Sequence, residues 1–199
     1  RPAALPPHRR GAEVMLGPEL LEILGVTLRV SVTATLLAAL AAVPLGLVLA
    51  LASFPGKRAA VTLVHTLMAL PTVAVGLLLY GLLSRSGPLG FLELLYTPWA
   101  MVAGQFVLAL PVITALTYSA VEGADLGVRR TALTLGATEL QAARTLLREA
   151  RFGMLAAVAA GFGRAITEVG AAMMLGGNIR GLTRTMTTAI TMETAKGDF

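Results

Sequence analysis

Two charged residues lie four positions apart inside an otherwise apolar run: Arg164 and Glu168 in GRAITEVGAAMMLGGNI, residues 163–179. On a helix that spacing places both on one face, where guanidinium and carboxylate can pair. At the centre of a bilayer each would cost roughly 2.5–3.5 kcal/mol, so both must face the interior of a bundle or water. Such a pair lines or gates a pathway, or it holds two helices in register. Further along, GGNIRG (176–181) supplies backbone amides and a cation. Successive amides can cradle an anion, although glycine-rich loops also serve simply as turns. Gly170 and Asn178 complete the pathway candidates in this segment.

Other chemistries find no support. The chain has no GxSxG elbow, no HExxH zinc pair and no phosphate-cradling GxxxxGK[ST]. Without the last it does not bind ATP by the usual route, so any ATP-derived energy must come from a partner. There are no cysteines, which excludes disulfides and thiolate metal sites. His65 has no histidine or cysteine at ligand spacing and reads as a packed, hydrogen-bonded side chain. The reading is a non-enzyme with no metal and no cofactor of its own.

The longest stretch of repeated charge, RRTALTLGATELQAARTLLREARFG (129–153), lies between apolar runs. Its pattern predicts a short helix over Val128–Leu135 and a second over Glu139–Ala150. Gly136 sits where a left-handed residue would end the first, and Thr138 with Gln141 forms a capping box that would start the second. Leu140, Ala143, Leu147 and Ala150 recur at helical spacing as a face to bury. Gln141, Arg144, Arg148 and Arg151 form a polar face beside it. Three readings compete: an interfacial amphipathic helix, a DNA-binding helix-turn-helix, and a cytoplasmic loop whose arginines set orientation. The second fits poorly between membrane-like runs, so nucleic acid is not an expected partner.

The elements that must position these residues are apolar. Of 199 residues 56% are hydrophobic and 14% charged, against roughly a quarter charged in soluble domains; mean hydropathy is +0.78. Val30–Leu51 is free of charge for 22 residues, about 33 Å of helix, enough to cross the hydrocarbon core. Ala59–Ser84 and Pro98–Val121 are two further uncharged runs, and Phe152–Ile179 is a fourth, interrupted by Arg164 and Glu168. Four spanning helices are therefore expected. Pro44, Pro71 and Pro111 fall mid-run, where proline kinks a helix. Alanine and glycine are abundant in the first and fourth runs, as close helix packing in lipid requires. The tail after Asn178 is too polar to span. With the arginines between apolar runs, the net charge of +5 points to lipid headgroups.

The loop around Gly136 resembles the cytoplasmic "EAA" loop of ABC importer permeases. The Glu-Ala-Ala of that family falls on Arg130, Thr131 and Ala132, so only the alanine and the glycine match, and the closing leucine-proline is replaced by Arg148 and Glu149. GRAITEVGAAMMLGGNI with RTMTTAI (184–190), FPGK (54–57) and MALPTVAVG (68–76) resembles the molybdate/tungstate branch, the tungstate permeases most closely. The resemblance runs from about Leu20 to the end. It implies an all-α polytopic membrane protein with the type I ABC importer transmembrane fold, a domain over 20–199, a coupling loop over about 122–151, and one more spanning helix after KGDF. Residues 1–19 are expected to be an extension, with Met15 a candidate start.

By the same resemblance, Ala132, Leu133, Gly136, Ala137 and Thr138 would contact ABC ATPase subunits, which would hold ATP and Mg. A second copy of the chain, an extracytoplasmic binding protein and membrane lipid are the other implied partners. The implied location is a prokaryotic cytoplasmic membrane and the implied cargo tungstate or molybdate. For an oxyanion, Arg164 is the group expected to meet cargo, with Glu168 neutralising and orienting it. A cytoplasmic coupling loop puts Lys57 and Arg58 inside, in line with the positive-inside rule. The alternative is a secondary transporter or channel with an interfacial amphipathic loop, although no internal repeat supports it.

Overall fold

The computed structural model describes residues 17–124 and 126–197, and among these every regular element is helical. Expectations for residues 1–16, including the start at Met15, lie outside the described residues, as does the side chain of Leu140. The helices are α1 (Pro18–Leu51), α2 (Lys57–Leu67), α3 (Thr72–Leu83), α4 (Pro98–Glu122), α5 (Leu126–Thr134), α6 (Glu139–Ile166), α7 (Gly170–Gly176) and α8 (Met186–Lys196).

By length and composition α1 and α4 can each cross a membrane, and the count rises to four if the broken pairs α2/α3 and α6/α7 are each taken as one span. Burial along α1 is inverted relative to a soluble helix. Its buried stripe is mostly small: besides Ile23 and Val30 it is Thr27, Ser31, Ala34, Thr35, Ala38 and Ala42. Its exposed face carries Leu36, Leu40, Leu45 and Val48, with Leu40 75% exposed. Small residues let backbones approach closely in lipid, and leucines facing outward cost nothing there; in water such a face would be an association patch.

Pro44 and Pro111 lie inside α1 and α4, and neither helix is broken there. At Pro71 the expected bend is a full break: it precedes the first residue of α3, where its missing N–H costs no helical bond, and α2 and α3 are bent by 96° there. The second apolar run is accordingly two helices separated at residues 68–71.

The chain divides into two compact units. One comprises residues up to Ala34, Pro71–Gln105 and those from Ala165 on; the other comprises Thr35–Leu70 and Phe106–Arg164. In the first, Val30 and Ala34 pack with Met101, Val102 and Ala172. There α3 lies against α7, so closely that a Cβ on Gly76 would be 3.0 Å from the Ala171 Cα. In the second, Ala38 and Ala42 pack with Ala109 and Ile113. A satellite cluster joins Val121 to Leu146 and Ala150.

The second helix of the charged loop does not end near Ala150. It continues to Ile166 and merges with the fourth apolar run. Gly153, which reads as a breaker in sequence, lies in mid-helix where a Cβ would be 2.7 Å from that of Ala120. The glycine serves close packing there, and nothing between Ala150 and Met154 interrupts the backbone ladder. The buried face of this segment is Ala142, Leu146 and Ala150, one position away from the expected Ala143 and Leu147, which are half-buried. Gln141, Arg144, Arg148 and Arg151 are exposed as expected.

Candidate functional site

Two places gather the sequence candidates. The first is the turn between α5 and α6. Gly136 has φ +85°; its amide donates to the Leu133 carbonyl and the Ala137 amide to the Ala132 carbonyl, both at 3.0 Å. These are the 5→2 and 6→1 bonds of a Schellman ending. Two residues later the Thr138 amide donates to Gln141 Oε1 at 2.8 Å and the Gln141 amide to Thr138 Oγ1 at 3.3 Å. That is the reciprocal capping box read from the sequence. One helix therefore stops and the next starts within three residues. Gly136 and Thr138 are exposed, and Ala132, Leu133 and Ala137 half-buried. Leu135, at the tip, is 82% exposed; the sequence reading passed over it because it counted as part of the helix.

In the same unit, Lys57 Nζ donates to the Ala50 carbonyl at 3.0 Å, ending α1, and lies 3.4 Å from Glu122 Oε1. Its ammonium stands 5.8 Å from the centre of the Tyr118 ring. Ser53, Lys57, Arg58, Thr62 and Tyr118 line a cavity of about 710 Å³. His65 Nδ1 donates to the Val61 carbonyl oxygen at 2.8 Å, and its ring is edge-on to that of Tyr118.

The second place is the break in the fourth run. Because α6 ends at Ile166 and α7 starts at Gly170, Arg164 and Glu168 are not four apart on one continuous helix. Arg164 occupies the last turn of α6, while Glu168 lies in the connecting segment. Glu168 is buried, 3% exposed, and its Oε1 accepts from the Ala171 amide at 2.9 Å. A carboxylate at the start of α7 satisfies an amide that has no partner inside the helix. Gly170 lies next to it, where a Cβ would be 3.0 Å from Thr72 Oγ1 and 3.6 Å from Glu168 Oε1. Thr187 Oγ1 donates to the Glu168 carbonyl at 2.8 Å, tying the break to the start of α8.

Asn178 is at the opposite end of α7 from Glu168, so the structure does not bring these two together. The turn after α7 has Gly177 at φ +70° and Asn178 at φ +52°. Two of its amides are engaged internally: that of Gly177 donates to Met173, and that of Ile179 to Thr183 Oγ1 at 2.9 Å. Tyr96 packs against Gly177, and its amide donates to the Leu175 carbonyl at 2.8 Å. A hydrogen bond with the Tyr80 hydroxyl raises the pKa of Tyr96 above the ordinary phenol value of 10.0.

Sequence reasoning missed Arg184. It is 9% exposed, its Nη1 is 3.2 Å from Glu19 Oε1, and Arg180 Nε is 3.0 Å from the same oxygen. No local pattern in the sequence marks it, because its partner Glu19 lies 165 positions away.

The family model of binding-protein-dependent transport system inner membrane components matches residues 42–195. The chain belongs to that family. The match takes in the capped turn, the broken span and α8 up to its last turn. The permease is 43% identical over 184 residues to a probable anion ABC transporter permease protein of Haloferax volcanii, covering 90% of this chain and 79% of that one. It is 41% identical over 186 residues to a tungstate uptake system permease of Peptoclostridium acidaminophilum, covering 94% and 82%. The molybdenum transport system permease of Escherichia coli is more distant, at 30% over 169 residues, covering 77% and 72%. An all-helical ABC permease of the type I transmembrane fold, in the tungstate/molybdate branch, accounts for both the sequence pattern and the inverted burial of α1.

Proposed function

We propose that this permease forms, as a homodimer in a prokaryotic cytoplasmic membrane, the pathway of an ATP-driven importer of tungstate, with molybdate the nearest alternative cargo. A binding protein delivers the oxyanion from outside, and two ABC ATPase subunits, which carry ATP and Mg, close on ATP. Their movement reaches the pathway through Ala132, Leu133, Gly136, Ala137 and Thr138, and the pathway reopens to the cytoplasm. Arg164, Glu168, Gly170 and Asn178 are its pathway and gate candidates, within a transmembrane domain over 20–199 that lipid surrounds.

The observation that carries this reading is the turn at Gly136. Two helices end and begin within three residues by a double set of caps, and the tip presents a nearly bare leucine, Leu135. An exposed leucine at a doubly capped tip of an otherwise basic loop suits insertion into a groove of a soluble partner, since burying its side chain contributes about 1.5–3 kcal/mol. The cargo rests on the likeness to the tungstate uptake permease.

The test is co-purification of the full-length chain from detergent with candidate ATPase and binding-protein subunits, with ATP hydrolysis measured with and without tungstate. A stable complex stimulated by tungstate-loaded binding protein and lost with Gly136→Asp is the expected result. No association with any ATPase would overturn it and bring forward a secondary transporter or channel.

A further inference from the structure

One buried guanidinium is under-used. Arg184 presents five N–H donors; among the described residues Nη1 is taken by Glu19 Oε1 at 3.2 Å, Nη2 has only the Met192 thioether at 3.9 Å, and Nε has no hydrogen-bond partner although it is buried. Arg180, 68% exposed in its side chain, directs Nε to the same carboxylate oxygen at 3.0 Å. Asn178 Nδ2, beside them, likewise donates to the Met192 sulfur, a weak acceptor. Glu19, Glu22, Arg180 and Arg184 line a cavity of about 410 Å³ within one compact unit.

Two guanidinium groups converging on a single oxygen describe where an anionic oxygen is wanted, and Glu19 fills that place. We propose that Arg180 and Arg184 form a receiving site for a tetrahedral oxyanion, and that the Glu19 carboxylate is its placeholder when the site is empty. The choice of ligand rests on the transport reading above; the site itself rests on the convergence of the two arginines and the free donors of Arg184. With both glutamates in place the four charges cancel, so an anion cannot simply be added. Once Glu19 swings out, two cations face Glu22 alone and the balance is +1. Ligand binding is then an exchange of one oxyanion for another, and a tetrahedral ion has further oxygens for Arg184 Nε, which the Glu19 carboxylate leaves unmet.

A mere latch between the start of α1 and the turn after α7 predicts no tightening of binding in one substitution, and that decides the matter. Tungstate binding to the full-length permease, assembled with its ATPase subunits in nanodiscs and without binding protein, would be measured by equilibrium dialysis and elemental analysis. Glu19→Gln removes the competitor and is expected to tighten binding about tenfold or more, the worth of one charge-assisted hydrogen bond. Arg184→Lys keeps the charge but not the fork and is expected to weaken binding by a similar factor. Unchanged or weaker binding in Glu19→Gln with an unaltered melting temperature overturns the site. If Glu19→Gln does not assemble, Arg184→Lys decides, and unchanged binding there overturns it too. Stimulation of wild-type ATPase activity by loaded binding protein, measured in the same preparation, reports on the transport reading separately.

Discussion

Gly136→Ala perturbs one dihedral and little else. A Cβ built on Gly136 meets nothing within 4 Å, so the alanine does not clash and its cost arises from φ +85° alone. A side chain in the left-handed region costs roughly 1–2 kcal/mol. If the turn relaxes instead, it forfeits the Gly136–Leu133 and Ala137–Ala132 bonds, each worth about 1 kcal/mol. Either way the correctly ended state of a nine-residue helix loses about 1–2 kcal/mol, a factor of roughly 5–30 in its population. Because Leu135 is carried by that ending, ATPase stimulation should fall by a comparable factor while the membrane-embedded part stays folded.

Asparagine tolerates the left-handed region better than alanine, so Gly136→Asn should recover most of the activity despite its larger side chain. The assay is ATP hydrolysis of the assembled transporter with saturating loaded binding protein, alongside the melting temperature in detergent. Activity in the order glycine, asparagine, alanine supports backbone geometry as the cause. Equal loss in both variants would show that the surface at Gly136 matters and its dihedral does not, and no loss in Gly136→Ala would refute the reasoning.

Gly46→Ala should destabilise the protein by about 1–3 kcal/mol through overpacking, because its Cβ would stand 2.8 Å from the Thr114 carbonyl oxygen and Thr117 Cβ; Gly25→Ala, in the same helix with open space around it, should instead stabilise by up to about 1 kcal/mol in the same thermal unfolding series. Thr27→Val removes the acceptor at 2.9 Å from the Met186 amide and should cost about 1–3 kcal/mol for the amide left unmet, read as faster hydrogen exchange at the start of α8, with Thr27→Ser close to wild type. Glu168→Gln retains an oxygen for the Ala171 amide and should melt within about 1 kcal/mol of wild type, whereas Glu168→Leu should cost about 1–3 kcal/mol; unimpaired oxyanion uptake in Glu168→Gln would remove any role for its charge.

What the sequence made legible is what is local. Gly136, Thr138 and Gln141 specify their turn through bonds that span no more than five residues, so both caps were readable before any tertiary contact was known. The apolar runs were readable for the same reason, since lipid demands a property of each segment on its own. The two breaks differ. Pro71 marked the one at 68–71, whereas the one at 167–169 falls in a run without proline, and what holds it is distant in sequence: the Thr187 hydroxyl on the Glu168 carbonyl and α3 pressed against Gly170 and Ala171. Treating Arg164 and Glu168 as an i, i+4 pair assumed a helix through the very residues where it stops. Arg184 was hidden more deeply, because its partner Glu19 is 165 positions away and nothing in a polar, threonine-rich tail marks one arginine as buried. Spacing can reveal a charge that shares a helix with its partner; a charge whose partner arrives through the fold shows only in the donors it leaves unsatisfied.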